Sequence, residues 1–393
     1  MNEVTVTQKS FSLSKLFCFL RVKVQRGITA LLTSFFKSKS FKLFGVSSGL
    51  AVIQGEEKIL FSPLATQREL PSSIEKHAYG VFTKNLTVKH PVSSIIKVSN
   101  AIATRSGANL TLDGKIIQQL FEPTDGKTVQ DHHYFRFSSK RISPKIRVSA
   151  EPVVSLAFQW QGNLYHWLFD TLPKIYLLEN AHQPIKRLYV DCEKSFQRES
   201  LDLLGIGPDK VIDASHVEAL SASELVIPSM PGLIGHPPKW VCNYLRSSFL
   251  PFLSKSSEST VQRKKQTNTY GGDRGERIYM IDSSNGESVK HPSLKLLEKY
   301  SFTVVDCASL DFLEQIRLFA NTEVMISFHQ SALSNLVFAN PKMKILELFA
   351  KREVNPCYWA VANEVSLDYH YLTCASESEE RLEHAILSLL ENR

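Results

Sequence analysis

Hydrophobic and polar positions alternate along the chain in two ways, and the switch between them predicts its elements. Short apolar runs predict buried strands, and stretches with an apolar residue every three or four positions predict amphipathic helices. From about residue 151 the two patterns alternate strictly, which indicates parallel sheets with helices on their faces. The predicted strands are 152–158, 187–191, 210–213, 224–228, 277–281, 302–306, 323–328 and 343–349, and the predicted helices are 195–205, 292–300, 309–320, a short helix after His329, and 378–390.

Two other segments depart from this alternation. Residues 56–150 are rich in turns and in short, partly alternating runs such as 94–99 and 109–117, where the Asp113-Gly114 pair is typical of a hairpin turn. The stretch from 254 to 276 has almost no apolar residue and has the composition of a linker. The predicted domains are therefore an arm (1–55), a β-rich lead-in with a first α/β domain (56–253), a linker (254–276) and a second α/β domain (277–393).

Charge is concentrated in the arm. Residues 1–55 contain eight basic residues and one acidic residue, so they account for the whole net charge of +7, and residues 56–393 are neutral overall. Leu and Phe recur at helical spacing between these charges, which predicts a basic amphipathic helix. Such a helix suits an anionic membrane surface through residues 9–45; the alternative is a terminal helix that packs on its own domain. No apolar run is long enough to cross a membrane.

Composition narrows the remaining classes. No basic platform with interleaved aromatic residues accompanies the charge, so nucleic acid is not an expected partner. The six cysteines are scattered without a CxxC pair, which argues against a zinc site and a disulfide framework. Free thiols and the absence of a spanning segment predict a cytoplasmic location, peripheral at the inner face of the membrane.

A polar stripe interrupts the apolar segment 163-NLYHWLFDTLP-173. Asn163, His166 and Asp170 are spaced by three and four residues, so on a helix they share one face. A histidine and a carboxylate on one face either make a structural contact as a partly buried pair or face a cleft where a proton is transferred. The spacing alone leaves both interpretations open.

A second polar group follows the strand 323–328. His329 and Ser331 open a short helix whose backbone N–H groups would face an anion, for which a diphosphate is the usual ligand. His329 can donate to a phosphate oxygen, Ser331 and Asn335 offer neutral donors, and Glu347 at the end of the next strand can accept from ribose hydroxyls. The alternative is a capped helix beside a buried, satisfied histidine.

Together the two segments resemble glycosyltransferase family 61, which includes capsular-polysaccharide-type bacterial enzymes. The resemblance rests on NLYHWLFDTLPKIYLLE and on the segment from SFTVVDCASLDFLEQIRLFA to HQSALSNLVFANPKMKILEL, and it extends roughly over residues 75–350. It implies a GT-B fold, in which two Rossmann-type domains face a cleft. The first domain would bind the acceptor and the second the nucleotide-sugar.

The resemblance also implies the reaction. The expected enzyme transfers a hexosyl, N-acetylhexosaminyl or pentosyl group with inversion, without metal or cofactor, from a nucleotide-sugar that we expect to be a UDP-sugar. The acceptor would be a glycan, a polysaccharide or a lipid-linked chain. By motif match, Asp170 is the expected base and His166 orients the acceptor with support from Asn163, while His329, Ser331, Asn335 and Glu347 bind the donor.

The chain departs from the family pattern at three places. Asp282 follows the strand where the family commonly has an arginine that can bind the diphosphate, His291-Pro292 replaces an Asn-Glu pair, and Gln330-Ser331 replaces Gly-Ala. Lys290 or Arg274 would be the substitute cation for a working donor site. The alternative function is a catalytically degenerate relative that acts as a scaffold or binds glycans.

Overall fold

The computed structural model describes residues 50–51, 56–72, 75–112, 116–117, 146–255, 276–283 and 291–391. The predicted amphipathic arm, the Asp113-Gly114 turn, most of the predicted linker, and Arg274 and Lys290 lie outside the described residues, so these expectations stay predictions. The chain forms two compact units, one of residues 1–53 and 108–145 and the other of residues 54–107 and 146–393.

In the smaller unit, three short strands are described. Strands β1 (Leu50–Ala51) and β7 (Ile116–Ile117) pair in parallel, and β6 (Asn109–Thr111) pairs antiparallel with β7. The antiparallel pairing of β6 and β7 agrees with the hairpin predicted over 109–117.

The larger unit contains the remaining described strands. They are β2 (Glu56–Phe61), β3 (Leu64–Gln67), β4 (Thr87–His90), β5 (Ser93–Thr104), β8 (Ile146–Ser149), β9 (Val153–Ser155), β10 (Leu188–Val190), β11 (Val211–Asp213), β12 (Ala219–Pro228), β13 (Glu276–Ile281), β14 (Thr303–Asp306), β15 (Thr322–Phe328), β16 (Lys344–Leu348) and β17 (Asp368–Leu372).

Its described α-helices connect and cover these strands. They are α1 (Tyr79–Thr83), α2 (Leu164–His166), α3 (Pro173–Asn180), α4 (Ser195–Leu203), α5 (Lys239–Phe249), α6 (Pro251–Lys255), α7 (Leu294–Lys299), α8 (Phe312–Asn321), α9 (Cys357–Glu364) and α10 (Glu379–Glu391). None of the helices in the described ranges is long and apolar enough to cross a membrane.

The first sheet of this unit is mixed. Its neighbours run in the order β2, β5, β12, β9, β10 and β11, with β8 also paired to β12. The contacts from β12 through β9 and β10 to β11 are parallel, and those of β5 with β2 and β12 are antiparallel. After β9 the chain builds β10 and β11 on one side of that strand and then returns to build β12 on its other side. The connections to the two sides therefore diverge at the carboxyl end of β9.

The second sheet is parallel throughout, in the order β14, β13, β15, β16 and β17. The chain first moves to one side of β13 and then returns to build the other side, so the strand order reverses between β13 and β15. Ligands of open α/β sheets bind outside the carboxyl ends of the strands at such a switch point. The predicted α/β class is confirmed.

Helix ends follow local sequence signals. Helix α4 ends in a Schellman motif, in which Gly205 has φ +73° and the N–H groups of Gly205 and Ile206 donate to Asp202 and Leu201. Helix α8 begins later than predicted, because Asp311 caps it by accepting from the Glu314 N–H, while Cys307–Ser309 form a separate 3-10 turn.

The segment 163–173, whose polar stripe would share one face of a single helix, is instead broken into three parts. Helix α2 is followed by a π-helical turn (Trp167–Thr171), and α3 begins at Pro173. Proline has no N–H and cannot continue the preceding hydrogen-bond pattern, and the Leu172 N–H donates instead to the Trp167 carbonyl, 2.9 Å away. Single π turns of this kind are frequent at functional sites.

Candidate active site

The two polar groups predicted from the sequence meet at one cavity of about 750 Å³. From the first sheet it is lined by the loop after β9 and by Ile234 and Gly235, beyond β12. From the second sheet it is lined by Asp282 and Ser283 after β13 and by His329 to Ser331 after β15, which is the switch point. We call this space the first cavity.

His166 projects into the first cavity from the end of α2. Asn163 begins that helix by accepting from the Tyr165 N–H at 2.8 Å, and it also lines the cavity. The Nδ1 atom of His166 lies 2.6 Å from Asp170 Oδ2, one turn further along the chain. An ionised carboxylate only accepts, so Nδ1 carries the hydrogen and Nε2 is the nitrogen that remains for a substrate.

Asp170 lies behind this histidine, not in the cavity. It is 3% exposed and belongs to the buried part of the π-helical turn, whereas the His166 side chain is 21% exposed and lines the cavity. Burial raises the pKa of Asp170, and the hydrogen bond from His166 opposes that shift. The geometry therefore differs from the expectation that Asp170 faces the acceptor, because the π turn directs it into the core.

His329 forms a second histidine–carboxylate pair. Its Nδ1 contacts Glu347 Oε1, its ring stacks on Phe349 at a centroid distance of 5.2 Å, and its side chain is 30% exposed at the first cavity. The other oxygen of Glu347 accepts from the Tyr369 hydroxyl at 2.6 Å. Glu347 is fully buried, with both oxygens engaged within the protein, so it does not reach a ribose as expected.

The other two residues expected to bind the donor, Ser331 and Asn335, differ in whether they reach the cavity. Ser331 lines the first cavity, as expected. Asn335 is fully buried, and its Nδ2 donates to Gln315 Oε1 and the Ala332 carbonyl, so it stabilises the 3-10 helix (Ser331–Phe338) that replaces the predicted short α-helix. A 3-10 helix brings Asn335 to its inner face, since three residues complete one turn.

The family departures also line this cavity. Asp282 and Gln330 both face it, and the Gln330 amide donates back to Ser327 Oγ at 2.6 Å. His291 contacts the Tyr279 hydroxyl through Nδ1 at 2.7 Å and lines the cavity as well. Among the described lining residues there are three histidines and no lysine or arginine, so imidazoles are the basic side chains of this lining.

Sequence reasoning missed residues that helix α9 brings to the cavity. Cys357 and Tyr358 line it, and the Tyr358 ring lies 5.0 Å from the ring of His329. The first six residues of helix α9 are all apolar, so the helix shows no amphipathic period. The apolar run 357–362 was the available signal, although such a run does not distinguish a buried helix from a strand.

The part of the chain that carries both histidines matches a known family. The family model described as Glycosyltransferase 61 matches residues 164–346. The predicted resemblance is confirmed: the chain carries a glycosyltransferase family 61 region, and glycosyltransferase activity is thereby supported. The match includes His166, Asp170 and His329 and ends one residue before Glu347. No curated protein matches the chain.

Proposed function

We propose that the protein is an inverting, metal-independent glycosyltransferase of the GT-B type, which transfers a sugar from a UDP-sugar to a hydroxyl group of a glycan or polysaccharide. The observation that carries this proposal is the His166–Asp170 pair at the switch-point cavity. A nucleotide-sugar at the carboxyl ends of β13 and β15 would place its reactive carbon within the same space that His166 lines.

In this proposal His166 is the general base and Asp170 is a positioning residue, which reverses the roles expected from the sequence. The Nε2 atom of His166 accepts the proton of the acceptor hydroxyl, while the oxygen of that hydroxyl bonds to the anomeric carbon of the donor sugar. The bond from that carbon to the phosphate oxygen breaks, and the nucleoside diphosphate leaves with the electron pair. Asp170 fixes the imidazole tautomer and stabilises the imidazolium that forms, as in other base–carboxylate pairs.

The diphosphate would be bound at the start of the 3-10 helix. His329 and the neighbouring Ser331 lie there, and His291 lies across the same cavity. Charge-assisted donors of this kind stabilise the negative charge that develops on the leaving group. Asn335 and Glu347 support these residues from the protein interior, and the diphosphate would lie on the side of the cavity away from Asp282 because like charges repel.

Calorimetric titration with UDP, GDP and CMP tests the proposal, with His329→Ala as the variant. We expect one nucleotide to bind, and the variant to bind it more weakly by about 1–3 kcal/mol, which corresponds to about 5- to 150-fold in Kd. Tyr79→Ala, which changes an exposed ring outside the cavity, is the matched control. Equal affinity in His329→Ala would move the donor site elsewhere.

A second candidate function is a non-catalytic scaffold or glycan-binding protein. It is favoured by Asp282 at the donor cavity and by the absence of lysine and arginine from the described residues that line it. No binding of any nucleotide, together with no release of nucleotide from UDP-sugars, would favour this candidate.

The basic arm is the basis for the proposed location of the protein. Residues 9–45 combine basic side chains with Leu and Phe at helical spacing, so we propose that they bind an anionic membrane at its inner, cytoplasmic face, where a capsule or lipid-linked acceptor would be extended. The full chain should sediment with anionic vesicles and not with neutral ones. Replacement of Lys37, Lys39 and Lys42 by Glu should abolish sedimentation if the charges drive it.

A further inference from the structure

A second cavity of about 770 Å³ adjoins the first one. Five residues line both: Trp160, Asn163, His166, Asp282 and Ser331. His166 is therefore reached from two sides. A general base that deprotonates the acceptor while the acceptor attacks the donor has to lie between the two substrates. A residue that lines two adjoining cavities has that position.

The second cavity has a different lining from the first. It is lined by Lys194, Ser195 and Phe196 after β10, and also by Leu310 and by Gln315 on helix α8. Amide and hydroxyl groups alternate with apolar surface here, and the charged side chains among its described lining residues are Lys194 and Asp282, of opposite sign. A site with few charges and many neutral hydrogen-bonding groups suits a neutral sugar better than a phosphate.

Trp160 stands where the two cavities meet. It is 39% exposed, although most large aromatic side chains of this unit are buried. Its ring lies 5.0 Å from the His166 ring at an interplanar angle of 34°, and Phe158 packs against it edge-on at 5.4 Å. These contacts fix the indole while part of its surface stays open. Aromatic rings that are rigid and partly exposed bury apolar C–H surface of a ligand at low entropic cost.

From this geometry we infer that the second cavity is the acceptor subsite and that Trp160 is the platform on which a neutral acceptor sugar stacks, with one hydroxyl presented to His166. This inference deepens the proposed transferase function and rests on it. It assigns the first cavity to the nucleotide-sugar and the second to the neutral, non-reducing or terminal sugar of the acceptor glycan.

The test measures carbohydrate and nucleotide binding separately in the full-length protein. Saturation-transfer NMR titrations would use cellotriose, xylotriose and chitotriose as neutral probes, with UDP, GDP or CMP titrated independently by calorimetry. The variants are Trp160→Ala, Trp160→Phe and Lys194→Met, and Tyr79→Ala again serves as the control because Tyr79 is exposed and lines neither cavity.

We expect Trp160→Ala to weaken binding of the preferred oligosaccharide by about tenfold. Trp160→Phe should retain part of the affinity, and both variants should bind nucleotide as the wild type does. Thermal unfolding at the wild-type temperature would show that the exposed position has been changed without loss of the fold.

Three results would overturn the inference: wild-type protein that binds none of the three probes, unchanged oligosaccharide affinity in Trp160→Ala, or an equal loss of nucleotide affinity in that variant. Weaker nucleotide binding in Lys194→Met would also overturn it, because the second cavity would then serve the diphosphate. Trp160-dependent sugar binding without any nucleotide binding would instead leave the carbohydrate subsite standing and contradict the transferase proposal.

Discussion

The cavity is lined by two histidines that each contact a buried carboxylate, yet the two pairs are built differently. His166 and Asp170 are four residues apart on one interrupted helix, and Asp170 contacts His166 at 2.6 Å. His329 and Glu347 follow or belong to neighbouring strands, and Glu347 also accepts from Tyr369 on the third strand. The first pair depends on one local turn, and the second depends on three strands of one sheet.

This difference indicates that the two histidine–carboxylate pairs have different tasks. A carboxylate with few other partners can respond to charge on its histidine, which suits a base that becomes an imidazolium during the reaction. A carboxylate with both oxygens engaged holds its histidine in one position, which suits a group that binds an anion. We therefore expect substitutions in the first pair to change turnover and those in the second to change donor affinity and stability.

The largest effect is expected for His166→Ala. Loss of a general base lowers kcat by about 10²–10⁴-fold, while nucleotide affinity should stay near the wild-type value. Initial rates with a responsive UDP-sugar and calorimetry of the same preparation measure the two quantities. The matched variant is His329→Ala, for which we expect the reverse order, with nucleotide affinity falling more than kcat. Similar kinetic profiles for the two variants would remove the proposed division of tasks.

Asp170→Asn should have the next largest effect. The amide keeps the shape of the side chain but cannot stabilise the imidazolium, so kcat should fall by about 10–10³-fold. A merely structural role would lower the amount of active enzyme and leave the pH dependence of kcat/KM unchanged. A positioning role should instead move the acid limb of that pH profile to lower pH, because the protonated imidazole loses the carboxylate that stabilises it. A superimposable pH profile would contradict the assignment.

Glu347→Gln addresses the second pair. Tyr369 and His329 both face the carboxylate as donors, and a glutamine would present an N–H group to one of them. Leaving a buried donor without an acceptor costs about 1–3 kcal/mol, so the free energy of unfolding should fall by that amount. Denaturant unfolding measures this, and nucleotide affinity should decrease only through the displaced His329. Full stability in this variant would show that the three-strand contact is not what holds His329.

The same contrast explains how much of the site could be predicted. The four-residue spacing of His166 and Asp170 is visible in the sequence, and their contact follows from any helical turn. The roles were not visible, because the π turn before Pro173 decides which of the two faces the cavity. Periodicity cannot detect a single wide turn, since it moves side chains without changing the apolar pattern.

The position of the second pair depends on strand β17, which the sequence pattern did not predict. Strands β13 to β16 were predicted near their observed bounds, because each is a continuous apolar run. Strand β17 was missed, since 368-DYHYL-372 mixes polar and aromatic residues, and it supplies Tyr369. Without that strand, Glu347 was expected at the end of its own strand, where it could accept from ribose hydroxyls. Tertiary pairing between β16 and β17 places it in the core instead.

A third buried carboxylate, Glu364, extends the comparison, because its partner is an arginine. Its Oε1 lies 3.7 Å from Arg68 NH2, and it ends helix α9, whose first turn lines the first cavity. Burial raises the pKa of Glu364 to about 7, although the charges of Arg68 and Lys239 oppose this shift. The nearby His90 and His236 have pKa values lowered to about 4 by burial and by Arg68.

These values give the sign of a pH effect. Between its ordinary pKa of 4.5 and about 7, folded Glu364 keeps a proton that the unfolded chain has lost, so its contribution to stability is present at low pH and is lost as pH rises. His90 and His236 bind protons on unfolding, so their contribution to stability rises with pH. Both are present in wild type and in Glu364→Gln, so this contribution cancels when the stabilities of the two proteins are subtracted. Glu364→Gln should therefore gain stability relative to wild type as pH rises from about 4.5 to about 7, with the smallest change at the acid end. Thermal unfolding of both proteins across this window measures the difference, and two parallel curves would mean that Glu364 is already ionised and that Arg68 holds it as firmly as the histidines hold their carboxylates.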